Sequence, residues 1–222
     1  MAVIRMRNGG LPMDAQRAAL VMAELQKLYP EAKPELNFRN PYETLIATIL
    51  SAQCTDKRVN MVTERLFPKY PDAFSMAKLT PEELEPMIRE CGLYHNKAKN
   101  IVAASRALVE QYDGKVPNTR AELMKLPGVG QKTAGVVLLA AFGDDQIPVD
   151  THVFRVSRRI GLADANTPEK VEAQLRELLE RDIWSLGHHL IIWHGRRCCH
   201  ARRPECDRCP LSEGLCEKHM EE

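Results

Sequence analysis

No stretch of the 222 residues contains eighteen consecutive apolar positions, so no segment can cross a membrane as a helix. The opening MAVIRMRNGG lacks the apolar core of a secretory signal, which predicts a chain that stays in the reducing cytoplasm. Charge of one sign is missing too: 31 Lys and Arg against 30 Asp and Glu leave +1. That balance neither requires nor excludes nucleic acid, and a binder of this composition needs basic residues gathered in one place. Alternating strand patterns, hairpin signals, low-complexity segments and solenoid repeats are all absent. What is left is enough chain for one large domain or two small ones.

The cysteines do not come in an even number. There are seven, which with no secretion signal argues against a disulfide framework. Cys54 and Cys91 stand alone, whereas Cys198, Cys199, Cys206, Cys209 and Cys216 crowd the last 25 residues. The run Cys199-x6-Cys206-x2-Cys209-x6-Cys216 offers four thiolates within eighteen residues. Zinc commonly takes two close cysteine pairs, and only one Cys-x2-Cys is present, so spacing alone leans weakly towards iron–sulfur. Cys198 is either packing or a rival ligand.

Nearly every segment between these cysteines reads as helix. Residues 14–29 carry Leu20, Val21, Leu25 and Leu28 at one-face spacing. Asn40-Pro41 is a cap followed by a first-turn proline, with Leu45, Ile46, Ile49 and Leu50 behind it. Thr55 is placed to cap a helix containing Val59, Val62 and Leu66. Thr80-Pro81-Glu82-Glu83 and Thr119-Arg120-Ala121-Glu122 fit the capping box. Residues 97–112, 133–142, 151–160, 168–181 and 183–194 complete an all-α bundle of roughly ten helices.

One stretch organises the rest: LPGVGQKTA, residues 126–134. Gly128 and Gly130 permit a tight turn with no side chain between backbone and ligand. A helix beginning near Thr133 presents unpartnered amides, which suit a phosphate oxygen. The plainer alternative is a turn that joins two helices and binds nothing. Lys132 sits just past the turn, as a phosphate contact or a nucleophile. Asp150 lies eighteen residues on and opens another helix, as an N-cap or a catalytic charge.

LPGVGQKTA, then PVDTHVFRV, then Cys199 to Cys216 resembles the endonuclease III family of helix-hairpin-helix base-excision DNA glycosylases. LSAQCTD (50–56) and GLYHNKAKNI (92–101) resemble it too, so the likeness runs from about Asn40 to Cys216. It departs at Gly135, where close relatives often carry Asn, and in the six-residue gap before Cys216, where five is usual.

The resemblance implies an all-α, two-lobed fold with a DNA cleft: a six-helix barrel over residues 34–144, and a second lobe from 1–33 plus 145–222. It also implies a [4Fe-4S] cluster on Cys199, Cys206, Cys209 and Cys216, with Lys132 and Asp150 catalytic. An amine that captures C1′ must be neutral, whereas an exposed lysine titrates near ~10.4, so its surroundings have to lower that value. A base inside a duplex must be flipped out and its space filled. The resemblance gives gap filling to Gln53 and wedging into the stack to Leu93, with His95 beside the wedge. The plainer alternatives are a helix C-terminal cap for Gln53 and core packing for Leu93. Gly128, Gly130 and Thr133 join them as DNA contacts, as do Arg202 and Arg203 of the basic patch made with Arg196, Arg197 and Arg208.

The expected protein is a monomeric bifunctional glycosylase and abasic-site lyase in the cytoplasm, on the nucleoid. Its partner is double-stranded DNA carrying an oxidised pyrimidine or an abasic site. The rival readings are a monofunctional mismatch glycosylase and a non-catalytic helix-hairpin-helix DNA-binding protein.

Overall fold

The computed structural model describes residues 14–217. Among them are eleven α-helices: α1 (Ala15–Leu28), α2 (Pro41–Leu50), α3 (Asp56–Leu66), α4 (Ala73–Ala77), α5 (Pro81–Ile88), α6 (Tyr94–Tyr112), α7 (Arg120–Leu123), α8 (Gln131–Phe142), α9 (Thr151–Ile160), α10 (Pro168–Leu178) and α11 (Trp184–Arg197). No strand occurs among the described residues, and none of these helices is long and apolar enough to cross a membrane. The chain divides into two compact units. One is the contiguous Pro34–Asp144, the other Met1–Lys33 with Asp145–Glu222.

In the contiguous unit α2 is central. Asn40 caps it, accepting from the Glu43 amide, and Pro41 supplies a first-turn φ without wasting a donor. Every residue from Tyr42 to Leu50 is buried, so α2 shows no solvent face. The buried Glu43 is paired with Arg39 at 2.6 Å, which offsets the cost of taking a carboxylate out of water. α8, apolar on most sides, packs against α2, while α4 and α5 pack against α6. The Thr80 capping box opens α5. A second box, Asp72 with Ser75, opens the short α4, which the hydrophobic periodicity does not reveal. Thr55 stands at the start of α3 without a capping hydrogen bond.

The discontinuous unit is built on α9 against α11, with α1 laid on α11 and α10 on α9. Gly195 permits the close approach: a Cβ there would lie 3.0 Å from Val156 and 3.2 Å from His152 Cβ. The expected stripe on α1 needs correction. Val21 and Leu25 are buried as expected, but Leu20 is 58% exposed and Leu28 37%, and Arg17, Ala18 and Met22 complete the buried face. Apolar residues lie on both sides of this helix, and the core took the face nearest α11. Trp193 Nε1 donates to the Lys33 carbonyl at 3.2 Å, fastening the point where the chain leaves this unit. Other boundaries also move: α6 starts at Tyr94, α10 ends at Leu178 and α11 runs to Arg197.

Candidate functional site

The glycine turn lies between α7 and α8. Leu126 and Val129 bury their side chains in the contiguous unit's core, and the Val129 amide donates to the Leu126 carbonyl at 3.1 Å. The two glycines do different work. Gly128 has φ +78°, and a Cβ there would come within 2.8 Å of Asn100 Cβ. Gly130, expected to share that freedom, has φ −98° and ψ −176°, an extended conformation open to any residue. A Cβ on Gly130 would meet nothing within 4 Å, so no contact within the protein demands glycine there. Gly130 is the N-cap of α8, and no side chain caps that helix. The helix begins at Gln131, two residues before the expected Thr133, which places Lys132 inside the first turn. Lys132 and Thr133 are half-buried, next to amides that the helix cannot satisfy itself.

Asp150 opens α9 in the opposite manner. Its Oδ1 accepts from the His152 amide at 2.9 Å and the Val153 amide at 2.8 Å, so the carboxylate is the N-cap. Oδ2 faces His152 Nδ1 at 3.4 Å. Burial works against the charge. The hydrogen bonds from His152 and Val153, with the charge interactions of His188 and His152, overcome it and hold the carboxyl well below its ordinary range. His188 is itself fixed, its Nδ1 lying 2.9 Å from the Pro148 carbonyl. Asp150 is therefore both a cap and a persistent negative charge.

The expected DNA-probing residues stand on irregular backbone. Only four described non-glycine residues have positive φ: Gln53 (52°), Leu93 (46°), Asp113 (52°) and Arg203 (53°). Three of them are among the residues expected to touch DNA. Gln53 is exposed and does not cap α2, whose C-cap is Ser51. Leu93 is 55% exposed and is not core, and it precedes α6 in left-handed conformation. Holding a leucine there costs roughly 1–2 kcal/mol. His95 is engaged within the protein, with Nδ1 2.7 Å from Glu85 Oε1.

The cysteine loop follows α11. None of the seven cysteines is in a disulfide. Cys199, Cys209 and Cys216 pack on the core of the discontinuous unit, and the Cys209 amide donates to the Cys206 carbonyl at 3.0 Å. Two arginines of α9, which the sequence gives no reason to single out, hold this loop. Arg155 donates to the Cys199 carbonyl at 3.2 Å, and Arg159 to the His200 carbonyl at 2.6 Å. Arg159 Nη1 also lies 3.6 Å from Cys199 Sγ, a cation set against a prospective thiolate. The structure brings His194 and Cys198 to Cys209, with one ligand atom of each within 4.8 Å of the others. His194 is buried, which pushes its imidazole down to about 4 and keeps it neutral. It meets Tyr29 OH at 3.1 Å through Nδ1 and Cys209 Sγ at 3.7 Å through Nε2. Cys198 is buried and donates its thiol to the Glu205 carbonyl at 3.7 Å. Within the basic patch, Arg202 and Arg203 are exposed, Arg208 pairs with Glu205, and Arg197 lies over the Trp193 ring at 3.7 Å. The donor set fits an iron–sulfur cluster: thiols on a short loop, partly shielded, with a guanidinium beside them.

Comparison with known proteins agrees with this geometry. Residues 46–181 match the HhH-GPD superfamily of base excision DNA repair proteins, and residues 199–216 match the iron–sulfur binding domain of endonuclease III. The second match starts at Cys199, spans the longer gap before Cys216, and makes the cofactor a [4Fe-4S] cluster. The endonuclease III of Synechocystis sp. is 48% identical over 202 residues, covering 90% of this chain and 92% of that one. The endonuclease III of Escherichia coli K12 is 43% identical, covering 92% and 97%. A solved structure of a trapped endonuclease III–DNA covalent intermediate, an estranged-adenine complex, aligns with a TM-score of 0.89. Its identity is 47%, over 93% of this chain and 97% of that one. A partly buried charge at one helix start, a glycine-opened turn at another and a cysteine loop of this kind are thus found together in a chain that belongs to the endonuclease III family.

Proposed function

We propose that Lys132 and Asp150 carry out the two halves of base removal on oxidised pyrimidines in duplex DNA. As a member of its family the protein is a bifunctional DNA glycosylase and abasic-site lyase. The observation that carries the assignment of Lys132 is its place in the first turn of α8, a helix start that no side chain caps.

In this reading a phosphate oxygen of the DNA backbone takes the donors that Gly130 leaves to it. The damaged nucleotide turns out of the stack, Leu93 enters the gap, and the Gln53 amide meets the orphaned partner base. The Lys132 amine attacks C1′, and the bond from C1′ to the base nitrogen breaks. Positive charge grows on the sugar, and the Asp150 carboxylate stabilises it. Its hydrogen bonds hold Asp150 ionised, so it faces the sugar as an anion. The two amine protons pass to the departing base nitrogen and to O4′, the C1′–O4′ bond opens, and the product is a Schiff base between Lys132 and C1′. Loss of a C2′ proton expels the 3′ phosphate by β-elimination and nicks the strand. Water then frees the lysine.

Cys199, Cys206, Cys209 and Cys216 hold the cluster, while Cys198 keeps its proton for the Glu205 carbonyl. When bound, the cluster cross-links the ends of the 199–216 loop through thiolate ligation. That loop displays Arg202 and Arg203 to phosphate. In this reading the protein works as a monomer.

The test is a nicking assay on three duplexes, carrying thymine glycol, an abasic site or an A·G mismatch. The first two should be cut and should trap covalently under borohydride, and the third should stay intact. Adenine release from the mismatch without strand cleavage would move the protein to the monofunctional reading.

A further inference from the structure

Lys97 lies on α6 in the contiguous unit and is only 4% exposed. Its ammonium makes two short bonds to main-chain carbonyls, to Leu50 at 2.8 Å and to Cys91 at 2.7 Å. Both acceptors are at ends. Leu50 is the last residue of α2, so its carbonyl has no intrahelical partner. Cys91 closes the 3-10 turn Arg89–Cys91. Three residues past Leu50 stands Gln53, and two past Cys91 stands Leu93, both in left-handed backbone. One cation thus reaches 47 residues back along the chain to one loop and six back to the other.

A lysine is an expensive way to fill this space. Burial penalises its charge and pushes its titration below that of a free lysine, and the neighbouring Cys54 and Cys91 thiols only partly counter this. An apolar side chain of similar length would fill the volume without that cost. Charge-assisted bonds to two carbonyls give something an apolar chain cannot: a fixed distance between two segments that share no ladder. Strained loops persist only where surrounding structure over-determines them, and this bond pair over-determines both at once.

We propose that Lys97 is a positioning residue that locks the Gln53 loop and the Leu93 loop into one rigid edge, so that gap filling and wedging occur as a single event. The inference rests on the assignment of those two residues to DNA probing. It adds that neither acts alone.

The test uses the cluster-loaded, full-length enzyme. In Lys97→Met, backbone amide exchange should rise in residues 51–55 and 91–94 together, with α8 and α9 unchanged. Excision from a fully paired duplex should fall roughly 10- to 100-fold, as displacement of positioning groups does. Affinity for undamaged duplex should hold. Adding Leu93→Ala to Lys97→Met should cost much less than the product of the two single losses. Should Lys97→Met not fold, Lys97→Gln, whose shorter side chain cannot span both carbonyls, takes the same measurements. Faster exchange in one loop only, or multiplicative losses, would overturn the coupling. If Leu93→Ala and Gln53→Ala each leave excision unchanged while both loops loosen in Lys97→Met, the clamp stands and the probing assignment fails.

Discussion

Helices α8 and α9 begin in opposite ways. The start of α8 is Gly130, with no capping side chain and open space where a Cβ would be. The start of α9 is Asp150, whose carboxylate takes two of its amides. Both ends carry the same partial positive charge from aligned peptide dipoles. At α8 no side chain of the cap residue takes up that charge or its donors, and in the proposed function an arriving phosphate does. At α9 an anion belonging to the chain already occupies them and is kept ionised by them. Under the proposed function one backbone device thus serves two purposes, receiving DNA phosphate at one helix and presenting a negative charge at the other.

Three substitutions probe this contrast. The largest effect is expected from Lys132→Ala, which removes the amine and leaves the α8 start intact. Borohydride should trap no adduct with abasic DNA, while binding to undamaged duplex stays close to wild type. Equal trapping by the variant would relocate the nucleophile.

Next is Asp150→Asn, which can still accept from the His152 and Val153 amides but has no charge. Excision should drop roughly 100-fold or more, with DNA binding and folding preserved. A near-normal rate with a lowered Tm would make Asp150 a cap and nothing else. The same variant has a pH signature. The folded carboxyl sits below the unfolded value of about 3.9, so its contribution to stability is complete above that value and is lost as the pH falls below it. Thermal melts of wild type and Asp150→Asn should therefore converge below pH ~4.

The third gives α8 the closed start of α9. Gly130→Asp should weaken binding to damaged and undamaged duplex alike, roughly 10-fold or more, by occupying the donors meant for phosphate. Its Tm should be equal to wild type or slightly higher. Gly128→Ala is the control with the reverse profile. Forcing alanine into φ +78° beside Asn100 should lower stability by about 1–2 kcal/mol. A Gly130→Asp protein that binds DNA normally would remove the reason for the bare start.

The features legible in the sequence were those written within four residues. Asn40-Pro41, the Thr80 box and Thr167-Pro168 name their helix starts because a side chain bonds an amide of its own first turn. Where no side chain marks the start, as at Gly130, the helix of Lys132 begins earlier than periodicity suggests. On α1 the error has another source. Leu20 and Leu28 are apolar yet exposed, while Arg17 is buried and reaches the Gly214 carbonyl at 3.0 Å. Composition shows that a helix is amphipathic but not which neighbour it will meet. Lys97, Arg155 and Arg159 are invisible for the same reason. Each bonds at least one carbonyl about 40 residues or more away in the chain, and a carbonyl leaves no trace in the choice of amino acid.

The split of one unit across the sequence has a consequence in time. Among the described helices α1 comes first, and its apolar face, with Val21, Met22 and Leu25, is buried in a unit whose α11 comes more than 150 residues later. At a synthesis rate of roughly 5–20 residues per second, that partner is about 10–30 s away. The contiguous Pro34–Asp144 unit has all its own contacts available well before then. A nascent chain therefore holds a finished unit bearing Lys132 while the apolar face of α1 waits uncovered. The segment carrying Asp150 and the cysteine loop follows the contiguous unit, so α1 is made well before the helices that cover it, and a chaperone has that interval in which to act.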